Sequence, residues 1–238
     1  MQPQIYGIGN PLIDILISAT DTDLKKLELA KGVMHLVDEV RQSEIIQYFN
    51  NSNHKYMPGG SAPNTILACA GLGISSLISG KIGDDKFGNI YEEQAKQYGA
   101  INGLVKGSGV TGSSIILVTP DGERTMNTHL GMCCEFSPED INESKLAKSN
   151  FLYFTGYMWD TDSQKNAINY AISIAKENDV QIIFDVADPF VVDRNSLEFL
   201  KMIEQDIDIV FSNQTELAIL FNSNDIEKST NKLLKIVN

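Results

Sequence analysis

The sequence predicts an α/β fold on a mostly parallel sheet, because short apolar strands alternate with amphipathic helices along most of its 238 residues. That length exceeds the usual domain size of about 100–150 residues and suits one large domain carrying a small accessory sheet. Three β-rich runs, at 13–18, 33–37 and 113–128, break the strand–helix rhythm and are expected to form that accessory sheet.

The elements follow in order. Residues 5–9 are a short apolar strand, and Asn10-Pro11 marks a break before the Ile- and Leu-rich extended run 13–18. Leu24, Leu27 and Leu29 space a short helix over 20–29 that Gly32 ends, with a strand at 33–37 and a helix at 40–49. Residues 57–64 read as a loop feeding a buried helix of small residues at 65–70, stopped by Gly71 and Gly73. A strand at 75–80 turns through Gly83-Asp84-Asp85 into a helix whose stripe is Phe87, Ile90, Tyr91 and Tyr98, with Gly99 as its stop. Pro120-Asp121-Gly122-Glu123 joins 113–119 to 124–128 as a hairpin. Ser137-Pro138-Glu139-Asp140 has the residues of a helix start, with a cap, a first-turn proline and an acid at N3. Strands at 151–155, 181–186 and 207–212 then alternate with helices at 163–177 and about 197–203, and an amphipathic helix at 226–237 closes the chain.

Charge narrows the partners. Nineteen basic against 31 acidic residues give a net charge of −12, which removes the basic footprint that nucleic acid or an anionic membrane surface requires. No apolar run approaches the roughly 18 residues of a membrane span, and the N-terminus lacks the charged and apolar regions of a signal peptide. Cys69, Cys133 and Cys134 form neither a disulfide framework nor a zinc motif, so a cytoplasmic location is expected. His35, His54 and His129 share no metal-binding spacing and read as structural or surface residues. The acidic balance still permits phosphate chemistry, since backbone N–H groups or a divalent cation can replace Lys and Arg.

Two stretches point to a site. Gly7-Ile8-Gly9 begins like a dinucleotide fingerprint, but Leu12 takes the third glycine's place and an extended run follows where a helix must start. The alternatives are a plain strand end or a polar one, where Asn10 and Asp14 reach sugar hydroxyls. A carboxylate among Leu12, Ile13, Ile15 and Leu16 needs a partner, because burying it unpaired costs several kcal/mol. Gly59-Gly60-Ser61-Ala62-Pro63-Asn64 lets backbone approach a ligand and opens a helix with free N–H groups, or is only a glycine turn.

In this order the motifs resemble the ribokinase-like (PfkB-type) carbohydrate and nucleoside kinases, nearest their adenosine-kinase-like branch, over essentially the whole chain. The carrying segments are 9–14, 59–64, Gly80-Lys81-Ile82-Gly83-Asp84-Asp85-Lys86-Phe87-Gly88, a lid-like strand at 124–128, Gly156-Tyr157-Met158-Trp159-Asp160 and Asn213-Gln214-Thr215-Glu216. The resemblance implies a three-layer sandwich with a mostly parallel central sheet and a small β lid from about 13–38 and 111–130, all within one domain over 1–238. It also implies transfer of the γ-phosphoryl of ATP, with Mg2+, to a hydroxymethyl group of a nucleoside or sugar. Carried over by position, Asn10, Asp14, Gly59, Gly60, Ser61 and Asn64 hold the acceptor, and Met158 stands where an aromatic would stack on a base. Asn213 and Glu216 organise the nucleotide and magnesium, with Asp185 as a further metal-side acid. On residues alone, Asp185 reads equally as a buried ion pair and Glu216 as an acid at a helix start.

The sequence departs from that family in lacking its Gly-Ala-Gly-Asp loop, which supplies the catalytic base and phosphate amides. No strand follows the last helix either. The expectation is a chain without the C-terminal strands and helices, its catalytic Asp beyond Asn238, and inactive by itself. A noncatalytic sugar- or nucleoside-binding protein stands second and an NAD-dependent dehydrogenase third. The sheet edge after 207–212 is expected to favour association, at its simplest a homodimer.

Overall fold

The computed structural model describes residues 2–237. Six parallel strands form the main sheet: β1 (Ile5–Ile8), β5 (Ser76–Gly83), β6 (Ile101–Gly107), β9 (Phe151–Thr155), β10 (Gln181–Asp185) and β11 (Ile209–Phe211), in the spatial order β11-β10-β9-β1-β5-β6. A second, five-stranded sheet contains β2 (Leu12–Ser18), β3 (Met34–Leu36), β4 (Lys55–Gly59), β7 (Thr111–Val118) and β8 (Arg124–Gly131), in the order β3-β8-β7-β2-β4. The helices are α1 (Asp21–Lys26), α2 (Glu39–Tyr48), α3 (Ser61–Gly71), α4 (Lys86–Gln97), α5 (Glu143–Leu146), α6 (Asp162–Glu177), α7 (Pro189–Asp206), α8 (Gln214–Leu220) and α9 (Ile226–Ile236). The chain leaves the main sheet for the second twice, between β1 and β2 and between β6 and β7, and returns between β4 and β5 and between β8 and β9.

Period-two alternation divides the main sheet between two cores. Tyr6, Ile8, Leu152, Phe154, Ile182 and Phe184 pack under α5, α6 and α7. Tyr153 and Ile78, of opposite parity, join α3 and α4. That second core continues into one face of the second sheet through Ile13, Ile15, Ile17, Ile115 and Leu117, over which α1 and α2 lie. The other face of the second sheet therefore remains free for Leu12, Asp14, Ser114, Met126 and Thr128, which line a cavity.

Several expectations are corrected. Residues 57–59 are not loop but the end of β4, and α3 begins at Ser61 rather than at 65. Pro58 is tolerated there because β4 is an edge strand, paired only with β2. Strand β6 was not expected, since Gly103 and Gly107 interrupt it; its register with β5 from Ile101 to Gly107 supplies what the sequence pattern lacks. The helix at 137 reduces to one 3-10 turn, Pro138–Asp140, because Ile141 turns extended before the separate α5. Helix α7 is longer than expected because Asp188 caps it, accepting from the N–H groups of Phe190 and Val191. Asn238 and anything expected beyond it lie outside the described residues.

Candidate functional site

A cavity of about 230 Å3 opens between the C-terminal end of β1, the start of α3 and the free face of the second sheet. Asn10, Asp14, Gly60, Ser61 and Asn64 all line it, so five residues drawn from two distant segments share one space. The reason is register. Leu12 pairs with Gly59 and Asp14 with Met57, which lays the glycine turn beside β2. A side chain at Gly59 would collide with the Asp14 carboxylate, and one at Gly60 with the backbone oxygen of Asn10, where Gly60 also holds a φ of 95°. Both glycines are there to let two backbones and one carboxylate approach.

Asp14 has no hydrogen bond to any described residue. Burial pushes its carboxyl up to about 6, against the pull of the Arg124 guanidinium. Asn64 likewise has no side-chain partner among the described residues. Asn10 is buried and its Oδ1 accepts from Gln164 Nε2 at 2.7 Å. The cavity thus presents a carboxylate acceptor and two amide groups with open hydrogen-bonding capacity, the complement of neighbouring hydroxyls.

Other lining residues come from β8, where Arg124, Met126, Thr128 and Leu130 share one face, and from the turn after β9. The family resemblance expects 124–128 in the lid and 156–160 over the acceptor, with Tyr157 or Trp159 as alternatives to Met158 at the stacking place; alternation along β8 carries the signal for Arg124, Met126 and Thr128. Met158 is withdrawn from the candidate set. It is fully buried in the core under α6 and α7, while the neighbouring Tyr157 lines the cavity. Trp159 is also excluded, packed 5.4 Å from Phe199 with its Nε1 donating to Glu198. Asp160 lines the cavity but pairs with Arg194 at 3.0 Å; burial raises its carboxyl while the arginine opposes.

Asp185, Asn213 and Glu216 do not line the cavity, though Glu216 is near enough to the lining Tyr157 for its charge to help burial raise that hydroxyl. Asp185, at the end of β10, accepts from Tyr153 Oη at 3.3 Å, and Thr65 of α3 lies 3.2 Å from that hydroxyl, so a short polar chain joins the two regions. Burial raises the Asp185 carboxyl, and it makes no ion pair among the described residues. Asn213 and Glu216 form a reciprocal capping box on α8: Glu216 N donates to Asn213 Oδ1 at 3.0 Å, and the Glu216 carboxylate accepts from Asn213 N at 2.8 Å and from Nδ2 at 2.6 Å. Burial raises Glu216, with Asp185 and Asp188 adding repulsion. Among the described residues no group of three acids, histidines or cysteines is arranged to ligate a metal directly. Asp185, Asp188 and Glu216 nevertheless form an acidic edge, and Mg2+ keeps several waters and needs only one or two carboxylates besides phosphate oxygens.

The dinucleotide alternative has no structural support at Gly7–Leu12, since β2 and not a helix follows. His35 and His54 face backbone oxygens of Ala30 and Phe49, and the three cysteines are unpaired. No described helix is long and apolar enough to cross a membrane.

Comparison with known proteins accords with this geometry. Residues 35–238 match the pfkB family carbohydrate kinase. The fold is similar to the crystal structure of adenosine kinase from Sinorhizobium meliloti, with a TM-score of 0.89 and 32% identity over all of this chain and 73% of that one. It is equally similar to a probable sugar kinase protein from Rhizobium etli CFN 42, with a TM-score of 0.90, 32% identity and 72% of that chain covered. A 5-dehydro-2-deoxygluconokinase of Halalkalibacterium halodurans is 26% identical over 214 residues, which cover 86% of this chain and 63% of the relative.

Proposed function

Because the chain belongs to the pfkB family of carbohydrate kinases, we propose that its cavity is the acceptor site of an ATP-dependent transfer to a hydroxymethyl group of a nucleoside or sugar. The observation that carries this reading is Asp14: a carboxylate set in an apolar strand, without a donor, facing a cavity of sugar size. Vicinal hydroxyls would supply both missing donors, each charge-assisted bond contributing about 1.5–3 kcal/mol. Asn10 and Asn64 take the remaining hydroxyl positions, and Gly60 and Ser61 bring backbone to the acceptor; Gly59, expected at the acceptor, does not line the cavity but makes room for the Asp14 carboxylate. Tyr157 replaces Met158 as the aromatic face available to a base. The second sheet acts as the lid, which gives Arg124 a place over the transferring group.

ATP would lie toward Asp185, Asn213 and Glu216, whose acidic edge would hold Mg2+ through water. When bound, the ion supplies charge neutralisation on the phosphates. Both carboxylates lining the cavity are already engaged in this scheme, Asp14 with hydroxyls and Asp160 with Arg194. A positioned general base contributes about 10²–10⁴ in rate, and among the described residues lining the cavity none is left for that role. Residues 1–238 by themselves are therefore expected to bind acceptor without appreciable turnover, the behaviour of the second reading, a noncatalytic binder.

Calorimetric titration with adenosine, ribose and fructose, with and without Mg-ATP, tests this. Acceptor binding that Mg-ATP modulates supports the kinase site. Acceptor binding indifferent to Mg-ATP favours the binder, and no acceptor binding rejects both.

A further inference from the structure

Helix α6 turns an apolar face to the core through Ala167, Ile168, Ala171 and Ala175, yet the first buried position of that face is Gln164, which is fully shielded from water. Its amide is engaged from three sides. Nε2 donates to Cys133 O at 2.8 Å and to Asn10 Oδ1 at 2.7 Å, and Thr161 Oγ1 lies 3.2 Å from Oε1. A backbone carbonyl can only accept, so Cys133 dictates which end of the Gln164 amide faces it. The second hydrogen of that NH2 then points at Asn10 and obliges Asn10 to present its oxygen. The Asn10 NH2 is left for the cavity.

We infer that Gln164 is a positioning residue that fixes Asn10 as a hydrogen-bond donor toward the acceptor. The polarity runs from the Cys133 carbonyl through two side-chain amides to the ligand, and nothing in it touches the ligand except Asn10. Opposite stands Asp14, which when ionised only accepts. A hydroxyl placed between them meets one donor and one acceptor, whereas an asparagine free to flip would offer the wrong group in part of the population. The geometry thus selects an acceptor oxygen that both receives and gives a hydrogen bond, and it discriminates against the deoxy analogue at that position. This rests on the acceptor-site reading above.

Two measurements separate the inference from that reading. In ligand-free protein, side-chain amide exchange by NMR, with the resonances identified through Asn10→Asp and Gln164→Glu, is expected to show a slowly exchanging Gln164 NH2 and a fast Asn10 NH2. The reverse order overturns the inference whether or not any ligand binds. In binding, Gln164→Glu removes the donor to Asn10 while keeping shape, and Gln164→Met serves where the charge prevents folding. Either is expected to weaken adenosine by about five- to tenfold, the size of one neutral hydrogen bond. Either is also expected to erase most of the difference between adenosine and whichever of 2′-deoxyadenosine and 3′-deoxyadenosine the native protein binds more weakly. A uniform loss with that discrimination intact, or additive losses in the Asn10→Ala/Gln164→Met double variant, would mean that Gln164 only packs. Failure of the native protein to bind adenosine or ribose rejects the acceptor-site reading instead.

Discussion

Among the described residues Asp14 on β2 has no hydrogen-bond donor on either carboxylate oxygen, whereas Glu216 on α8 has both oxygens held by Asn213. Both carboxyls are raised by burial. The difference lies in what the fold has already satisfied. Around Asp14 the fold leaves the carboxylate open to whatever enters the cavity, and Gly59 makes the space for it. Around Glu216 the same kind of group completes a helix start. An unsatisfied carboxylate facing a cavity is therefore stronger evidence for ligand binding than a motif match, because a motif can be fully explained by local structure.

The largest effect is expected at the turn beneath Asp14. Gly60→Ala forces a β-carbon against the Asn10 backbone oxygen at a φ of 95°, and should cost at least about 2 kcal/mol in chemical denaturation. A neutral outcome would show that the turn is not held by close approach.

Asp14→Asn should separate stability from binding. The folded state holds the Asp14 proton more tightly than the unfolded chain does, with the carboxyl pushed up to about 6 from 3.8. The stabilising contribution of that proton is full below about pH 4 and is lost as pH rises through about 6. At pH 8 the ionised group then costs about 1–3 kcal/mol, so the amide variant should be more stable there by that amount and equal to the native chain near pH 4. Binding has the opposite sign. A neutral carboxyl loses an acceptor, so acceptor affinity should fall as pH drops through about 6. Equal pH dependence of binding in native and Asp14→Asn proteins would contradict this assignment.

The smallest effects belong to the second region. Asn213→Ala removes a helix cap and should cost about 1 kcal/mol, while Glu216→Gln keeps the box and should change stability by less than about 0.5 kcal/mol. Neither should shift acceptor affinity. A loss of adenosine binding in either variant would move the capping box into the acceptor site and erase the contrast.

Much of this was legible in sequence because it depends on near neighbours. The alternation of strands and helices and the 113–128 hairpin follow from local spacing, whereas Asn10 and Asp14 were joined to the glycine turn only through the family resemblance. What stayed hidden depends on pairing. Strand β4 carries a proline and β6 two glycines, so each is a strand only through its partner in the sheet. Met158 and Tyr157 differ by one position, and only the 3-10 turn over Gly156–Trp159 decides that the methionine packs inward and the tyrosine faces the cavity. Gln164 lies 154 residues from Asn10, and no spacing connects them.

One titration tests the acceptor role of Asp14 most directly. Adenosine added to the native chain and to Asp14→Asn at pH 8, followed by calorimetry, should give saturable one-to-one binding to the first. Binding to the second should be weaker by at least about tenfold, as expected from losing one charge-assisted hydrogen bond. Equal affinity for the two proteins would contradict the claim that this carboxylate is kept unpartnered for the acceptor.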